Sequence, residues 1–169
     1  MKKYFFLITF ILSSLSIFSQ DDITTYYLIR HAEKNKTDKT DRNPHLTNKG
    51  VKRAAFWSEV LSSANISMVY STKYNRTKET ATPTALKNKL SVLLYNPSKL
   101  YDDDFKLKTK GKNVLIVGHS NTTPSFANKI LGKDLFKQIN ESALDSNSNL
   151  YIITVTKNGA TSIHLKVNN

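Results

Sequence analysis

Four bulky apolar residues in a row, Tyr26-Tyr27-Leu28-Ile29, are followed at once by Arg30 and His31. A strand with one wet face alternates apolar and polar side chains. An unbroken apolar run buries both faces, and such strands belong to parallel sheets covered by helices. In open sheets of this kind ligands bind beyond the carboxyl ends of the strands, so Arg30-His31 stands where chemistry collects. An Arg-His pair is common by chance and needs support from elsewhere in the chain. Two further apolar runs supply it. Residues 66–70 precede Ser71-Thr72-Lys73-Tyr74-Asn75-Arg76, and Val114-Leu115-Ile116-Val117 ends at Gly118-His119-Ser120. Three predicted strand ends thus present Arg30-His31, Arg76 and His119.

Helical signals fall between the runs. Thr47 is suited to cap a helix over 48–62, because its hydroxyl can accept from a free first-turn amide. Val51, Ala54, Ala55, Trp57 and Leu61 form the apolar stripe of that helix, and Trp57 reads as packing. Asn75 is placed to cap a second helix beginning near Arg76. Pro83 interrupts its pattern and predicts a kink, or a restart capped by Thr82. A short strand over 92–95 and a polar connection over 96–112, holding Asp102-Asp103-Asp104, follow. Pro124, Phe126, Ala127, Ile130, Leu131 and then Gly132 describe a short helix with Pro in its first turn and Gly past its end. Residues 133–148 are polar and carry no readable period. Asn158-Gly159 between two β-branched runs signals a hairpin. The fold expected is a three-layer α/β/α arrangement with a mostly parallel central sheet and an antiparallel C-terminal hairpin.

Taken together, Arg30-His31, Arg76 near a helix start, the late Gly118-His119 and the Leu46-Thr47-Asn48-Lys49-Gly50 helix entry resemble the histidine phosphatase superfamily, the phosphoglycerate mutase-like group. The resemblance covers about residues 25–165. It implies that His31 is the nucleophile and that Arg30, Arg76 and His119 form a phosphate pocket. Ala32 stands where the commonest family motif has Gly. The connection over 96–112 holds no long insertion, which is similar to the branch of the family that lacks a substrate cap.

The amino terminus adds a location. Lys2 and Lys3, a short apolar core and a Ser-rich end give residues 1–20 the layout of a cleavable signal peptide. The apolar stretch is shorter than the ~20 residues a membrane span requires, so no stable membrane anchor is expected after cleavage. Residues 21–169 then form one domain, periplasmic or secreted. The sequence contains no cysteine, so its core must hold without disulfides, which a chain of this length can do. Lys2 and Lys3 account for two of the +12 formal charges, and the remaining surplus favours anionic partners. The lysines are scattered rather than gathered in a stripe and no nucleic-acid motif accompanies them, so nucleic acid is not the expected partner.

The chemistry follows from the residue types. A neutral imidazole at position 31 has a lone pair for phosphorus, and neighbouring guanidinium charges keep it neutral. Its other nitrogen should donate to a backbone carbonyl, which fixes the tautomer. Arg30, Arg76 and His119 can surround the equatorial phosphoryl oxygens, a task that needs no metal and no cofactor. A phosphohistidine on His31 would form and be hydrolysed by water. The proton donor for the leaving group is open: Glu33 is placed ahead of Asp102, Asp103 and Asp104. Ser120 and Asn121 are candidates to hold substrate or to cap the next helix, and His45 to reach the pocket mouth. The expected activity is that of an exported, metal-independent phosphomonoesterase acting on a small phosphomonoester. The alternatives are a non-catalytic phosphate-binding module of the same fold and a phosphohistidine-protein phosphatase.

Overall fold

The computed structural model describes residues 23–168, so the signal peptide expected over residues 1–20 lies outside the described residues. Ten elements follow in order. They are β1 (Thr24–Arg30), α1 (Asn48–Val60), β2 (Met68–Ser71), α2 (Asn75–Lys87), β3 (Val92–Leu94), α3 (Asp103–Thr109), β4 (Asn113–Gly118), α4 (Thr122–Leu131), β5 (Asn149–Thr156) and β6 (Gly159–Lys166). The six strands form one sheet in the order β3-β2-β4-β1-β5-β6. β3, β2, β4 and β1 are parallel, while β5 runs antiparallel to both β1 and β6. The hairpin read from Asn158-Gly159 is present, with Thr156 paired to Gly159.

The apolar runs are buried on both faces, as their lack of alternation requires. Tyr26, Leu28, Val114 and Ile116 pack on one side against Phe105 of α3 and Phe126 and Ile130 of α4. Ile29, Val69, Leu115 and Val117 face the other way, onto Trp57 and Leu61 at α1 and Ala81 and Ala85 of α2. Trp57 is fully buried there, a packing residue. The inner strands β1, β2, β4 and β5 therefore contribute alternate residues to two cores, and the helices complete three layers.

Register then decides where the strand ends meet. Arg30 pairs with Gly118 and Ser71 with Val117, so β1, β4 and β2 end level with one another. The residues just past those ends, His31, His119 and Thr72, emerge on one edge of the sheet.

Two helices differ from the sequence expectation. α2 is a single helix through Pro83, with no restart and no Thr82 cap. The proline forfeits one backbone bond, a cost of about 3 kcal/mol in a free helix, and burial of Thr80, Ala81, Thr84 and Ala85 beside it offsets that. Thr82 instead donates its hydroxyl to the Lys78 carbonyl at 2.8 Å. Asn75 is not the cap either: Tyr74 occupies the N-cap position without a side-chain bond, and the Asn75 amide donates to Asn43. The polar connection over 96–112 contains α3, which Asp102 caps by accepting from the Phe105 amide at 2.9 Å.

Gly50 fixes the entry of α1 against the end of β1. The Thr47 hydroxyl caps this helix by accepting from the Gly50 amide. A β-carbon at residue 50 would lie 2.3 Å from the Glu33 carbonyl oxygen. Alanine would gain roughly 1 kcal/mol of helix propensity, but overpacking against backbone costs about 1–3 kcal/mol or more, so the clash wins. G50A is expected to lower stability by about 1–2 kcal/mol, read as a shift of the urea midpoint at unchanged slope. An equal or higher midpoint would show that the loop after β1 yields freely.

Candidate active site

Arg30 closes β1 and is 3% exposed; His31, next in the chain, is equally buried. The His31 Nδ1–H donates to the Ala32 carbonyl at 2.7 Å, the backbone acceptor expected from sequence, and this leaves the Nε2 lone pair free. Ala32 sits at a negative φ, is fully buried, and donates its amide to the Thr80 hydroxyl at 2.9 Å. The turn after β1 therefore accepts a methyl group at this position.

His119 follows Gly118 at the end of β4. Its ring lies 5.6 Å from that of His31, centroid to centroid, at 67°. Arg76, in the first turn of α2, directs Nη2 toward His119 Nδ1 at 3.5 Å and lies over the Tyr74 ring at 4.5 Å. Since Nδ1 accepts, the proton of His119 is on Nε2, which donates to Thr72 Oγ1 at 3.0 Å. Thr72 passes its own hydroxyl hydrogen to Thr77 Oγ1 at 2.8 Å, and Thr77 donates to the Tyr74 carbonyl. This chain of buried hydroxyls sets the ring of His119 from behind. Gly118 is required beside it, because a β-carbon would meet the hydroxyls of Thr122, Thr123 and Tyr95 at 2.8–2.9 Å.

A hollow of about 560 Å³ opens over these strand ends, lined by His31, Lys34, Tyr74, Arg76, His119, Ser120 and Glu141 among others. Arg30 is not among its lining residues but touches one of them, Nη2 standing 3.3 Å from Glu141, while its Nε and Nη1, and the Nε of Arg76, are buried without a hydrogen-bond partner. Unpaired buried donors are costly in a folded chain, and these three belong to the two guanidinium groups nearest His31 and His119. Burial, reinforced by the charges of Arg30, His119 and Arg76, pushes the His31 imidazole down to about 2. His119 falls to about 4, through burial and then the charges of Arg76 and Arg30. Both rings are neutral at pH 7, and the positive charge of the site is carried by guanidinium groups.

These shifts make stability depend on pH. A ring whose folded value lies below the ordinary ~6.5 takes a proton in the unfolded chain that it refuses when folded. The stabilisation is full above pH 6.5 and is lost as pH falls through the window below it. His31 alone should cost about 2 kcal/mol between pH 6.5 and 5, with a smaller share from the less buried His119. Urea midpoints will fall over that interval, and by less in His31→Gln. An equal fall in the variant would assign the acid sensitivity to other groups.

The remaining sequence candidates are placed differently. Glu33 does not line the hollow: its Oε1 accepts from Arg53 Nε at 2.8 Å, and Lys49 lies 3.9 Å away, so α1 holds the carboxylate. Asp103 and Asp104 are exposed and pair with Lys106 and Lys108 along α3, and Asp102 is the cap of that helix. His45 is exposed and bonded to Glu79 and Asn75 rather than lining the hollow. Asn121 lines the hollow while its Oδ1 caps α4. Ser120 donates its hydroxyl to Glu141 Oε1 at 2.6 Å.

Glu141 was not singled out by the sequence. It lies in the segment between α4 and β5, and its Oε2 stands 3.3 Å from Arg30 Nη2. The Ser120 hydroxyl bond holds the carboxyl below its ordinary range, with the Arg30 charge adding to the effect.

Comparison with solved structures identifies the fold. Phosphohistidine phosphatase SixA, in a complex with tungstate, superposes with a TM-score of 0.64 at 13% identity, over 84% of this chain and 96% of that one. The chain has the histidine phosphatase fold. A protein from Agrobacterium tumefaciens named as SixA matches equally well, with a TM-score of 0.64 at 21% identity and the same shares of the two chains. A mycobacterial glucosyl-3-phosphoglycerate phosphatase, in a complex with VO3, gives 0.62 at 10% identity over 86% of this chain and all of the other. In sequence, the family model for the histidine phosphatase superfamily (branch 1) matches residues 26–96, the stretch that holds Arg30, His31 and Arg76. No curated protein matches significantly by sequence. Only the short α3 and its flanking turns separate β3 from β4.

Proposed function

We propose that this chain is a phosphomonoesterase that forms a phosphohistidine on His31, acts without a metal, and is exported by its amino-terminal segment. The observation that carries the reading is the tautomer of His31. With Nδ1–H committed to the Ala32 carbonyl, the unprotonated Nε2 is the atom left for phosphorus, beside Arg30, Arg76 and His119. Guanidinium groups on two sides can take the charge that spreads over the equatorial oxygens. His119, neutral in the free site, would gain a proton as the dianion arrives and donate from Nδ1. The phosphatase names of the neighbours, two of them bound to tungstate or VO3, support the same reaction class. The hollow lies open at the sheet edge, so a phosphorylated side chain on a protein would also reach it. That geometry, with the SixA likeness, favours a phosphohistidine-protein phosphatase as the second reading.

Purified protein, lacking residues 1–20, should hydrolyse aryl phosphates in the presence of chelator. Rapid quenching in alkali should trap a phosphoprotein that acid destroys. Binding of tungstate without turnover and without a trapped intermediate would leave only an anion-binding module.

A further inference from the structure

One carboxylate, Glu141, lines the same hollow as His31. We propose that Glu141 is the general acid of this site, protonating the leaving oxygen as the phosphoryl group moves to His31, and then the base for the water that releases it. The inference rests on the phosphatase reading above and assigns a residue that reading leaves open.

The geometry singles out Glu141 among the described carboxylates. Glu33 is held by Arg53, Glu79 by His45 and the Leu46 amide, and Asp102, Asp103 and Asp104 by α3 and its lysines. Glu141 alone among these lines the hollow with His31, Arg76 and His119. Its segment is tied to the site on both sides. The Ile139 amide donates to the Ser120 carbonyl at 2.9 Å, and the Asn147 side chain donates to the His31 carbonyl at 2.6 Å. The carboxylate itself rests on Arg30 Nη2 and Ser120 Oγ, that is, on residues at the ends of β1 and β4. Half-exposed, it keeps access to solvent and to a bound ester.

The role follows from what a substrate would do to this pair. In the free site Glu141 is ionised, facing Arg30 of β1, Lys34 and Lys36 of the loop after it, and Ser120. A phosphoryl dianion needs the same Arg30 edge. Once it is there, Glu141 has lost its strongest cationic partner and lies beside like charge, and both changes favour the protonated carboxyl. A protonated carboxyl is a donor, and its nearest new acceptor is the ester. In the first step the bond from His31 Nε2 to phosphorus forms, the bond from phosphorus to the leaving oxygen breaks, and that oxygen takes the Glu141 proton. In the second, a water oxygen bonds to phosphorus, the N–P bond breaks, and the water proton passes to the Glu141 carboxylate. Phosphate leaves, and the carboxyl returns its proton to solvent as Arg30 becomes available again.

Glu141 as a mere plug on Arg30 makes a different forecast, and a leaving-group series separates the two. E141Q keeps the shape and the Ser120 contact. For ethyl phosphate, whose alkoxide needs a proton, kcat/KM should fall by about 10²–10³-fold. For 2,4-dinitrophenyl phosphate, whose phenoxide leaves unaided, kcat/KM should change less than about threefold. The second step should then slow, giving a burst of dinitrophenolate and accumulated phosphoprotein. E141D should recover part of the ethyl phosphate rate. A loss equal for both esters, or tighter tungstate binding with no discrimination between them, would overturn the assignment and leave Glu141 a competitor for Arg30. If the unsubstituted protein turns over neither ester, the phosphatase reading has failed first and this assignment falls with it.

Discussion

Replacing His31 by alanine will lower phosphomonoester turnover by about 10⁴-fold or more and will leave no trapped phosphoprotein, while the fold survives. The size of the effect comes from the step that is lost. Without the imidazole, water must attack the ester directly, and the reaction is no longer divided into two easier displacements. Arg30, Arg76 and His119 remain to hold the anion, so tungstate or phosphate should still bind within about tenfold of the unsubstituted affinity. Free imidazole supplied in solution should restore a small part of the activity, because the space above Arg30 that the ring filled is then open. Far-ultraviolet circular dichroism and the urea midpoint at pH 7 check the fold: the variant loses one buried hydrogen bond to the Ala32 carbonyl, worth about 1 kcal/mol, and some packing. Activity within tenfold of the original would remove His31 from the reaction, whatever the shape of the site.

How much of this was legible beforehand depends on the range of the interaction concerned. The strands were readable because β1 and β4 are buried on both faces, and burial of that kind writes itself into consecutive residues such as Val114-Leu115-Ile116-Val117. The convergence of His31 and His119 was readable because parallel strands in register end together. The path of α2 through Pro83 was not, since local propensity argued for a break and the packing that overrides it comes from distant strands. Glu33 misled because closeness in sequence to His31 stood in for closeness in space. Three residues beyond the strand its side chain turns toward α1, where Arg53 is waiting, twenty positions away. The three aspartates misled for a related reason: a capping Asp followed by acidic residues and then lysines is a helix start, and the short α3 has too few apolar positions to announce itself. Glu141 left no trace because the segment around it has no period. Its place depends on the Ile139 to Ser120 and Asn147 to His31 bonds, which span 19 and 116 residues.

Arg76→Ala will have the second largest effect, a loss of about 10²–10³-fold in kcat/KM for any phosphomonoester, with a parallel loss of tungstate affinity. Two separate contributions add to this. The planar fork that can bind two phosphoryl oxygens at once is removed, and lysine at this position should restore only part of the activity, since it brings charge without the paired donors. The other contribution runs through His119. Arg76 Nη2 donates toward His119 Nδ1, and its charge is, after burial, the foremost cause holding that ring below its ordinary range. With the guanidinium gone, the His119 value moves upward toward 6.5, so the ring begins to take a proton at mildly acidic pH without an anion present. The pH dependence of tungstate binding therefore changes in a defined direction. In the unsubstituted protein, binding should draw a proton onto His119 at neutral pH and weaken as pH rises. In Arg76→Ala, His119 is already partly protonated near pH 5 to 6, so proton uptake on binding shrinks there, which calorimetry in buffers of different ionisation enthalpy will register. An affinity loss with unchanged proton uptake would confine Arg76 to direct contact with the anion and separate it from His119.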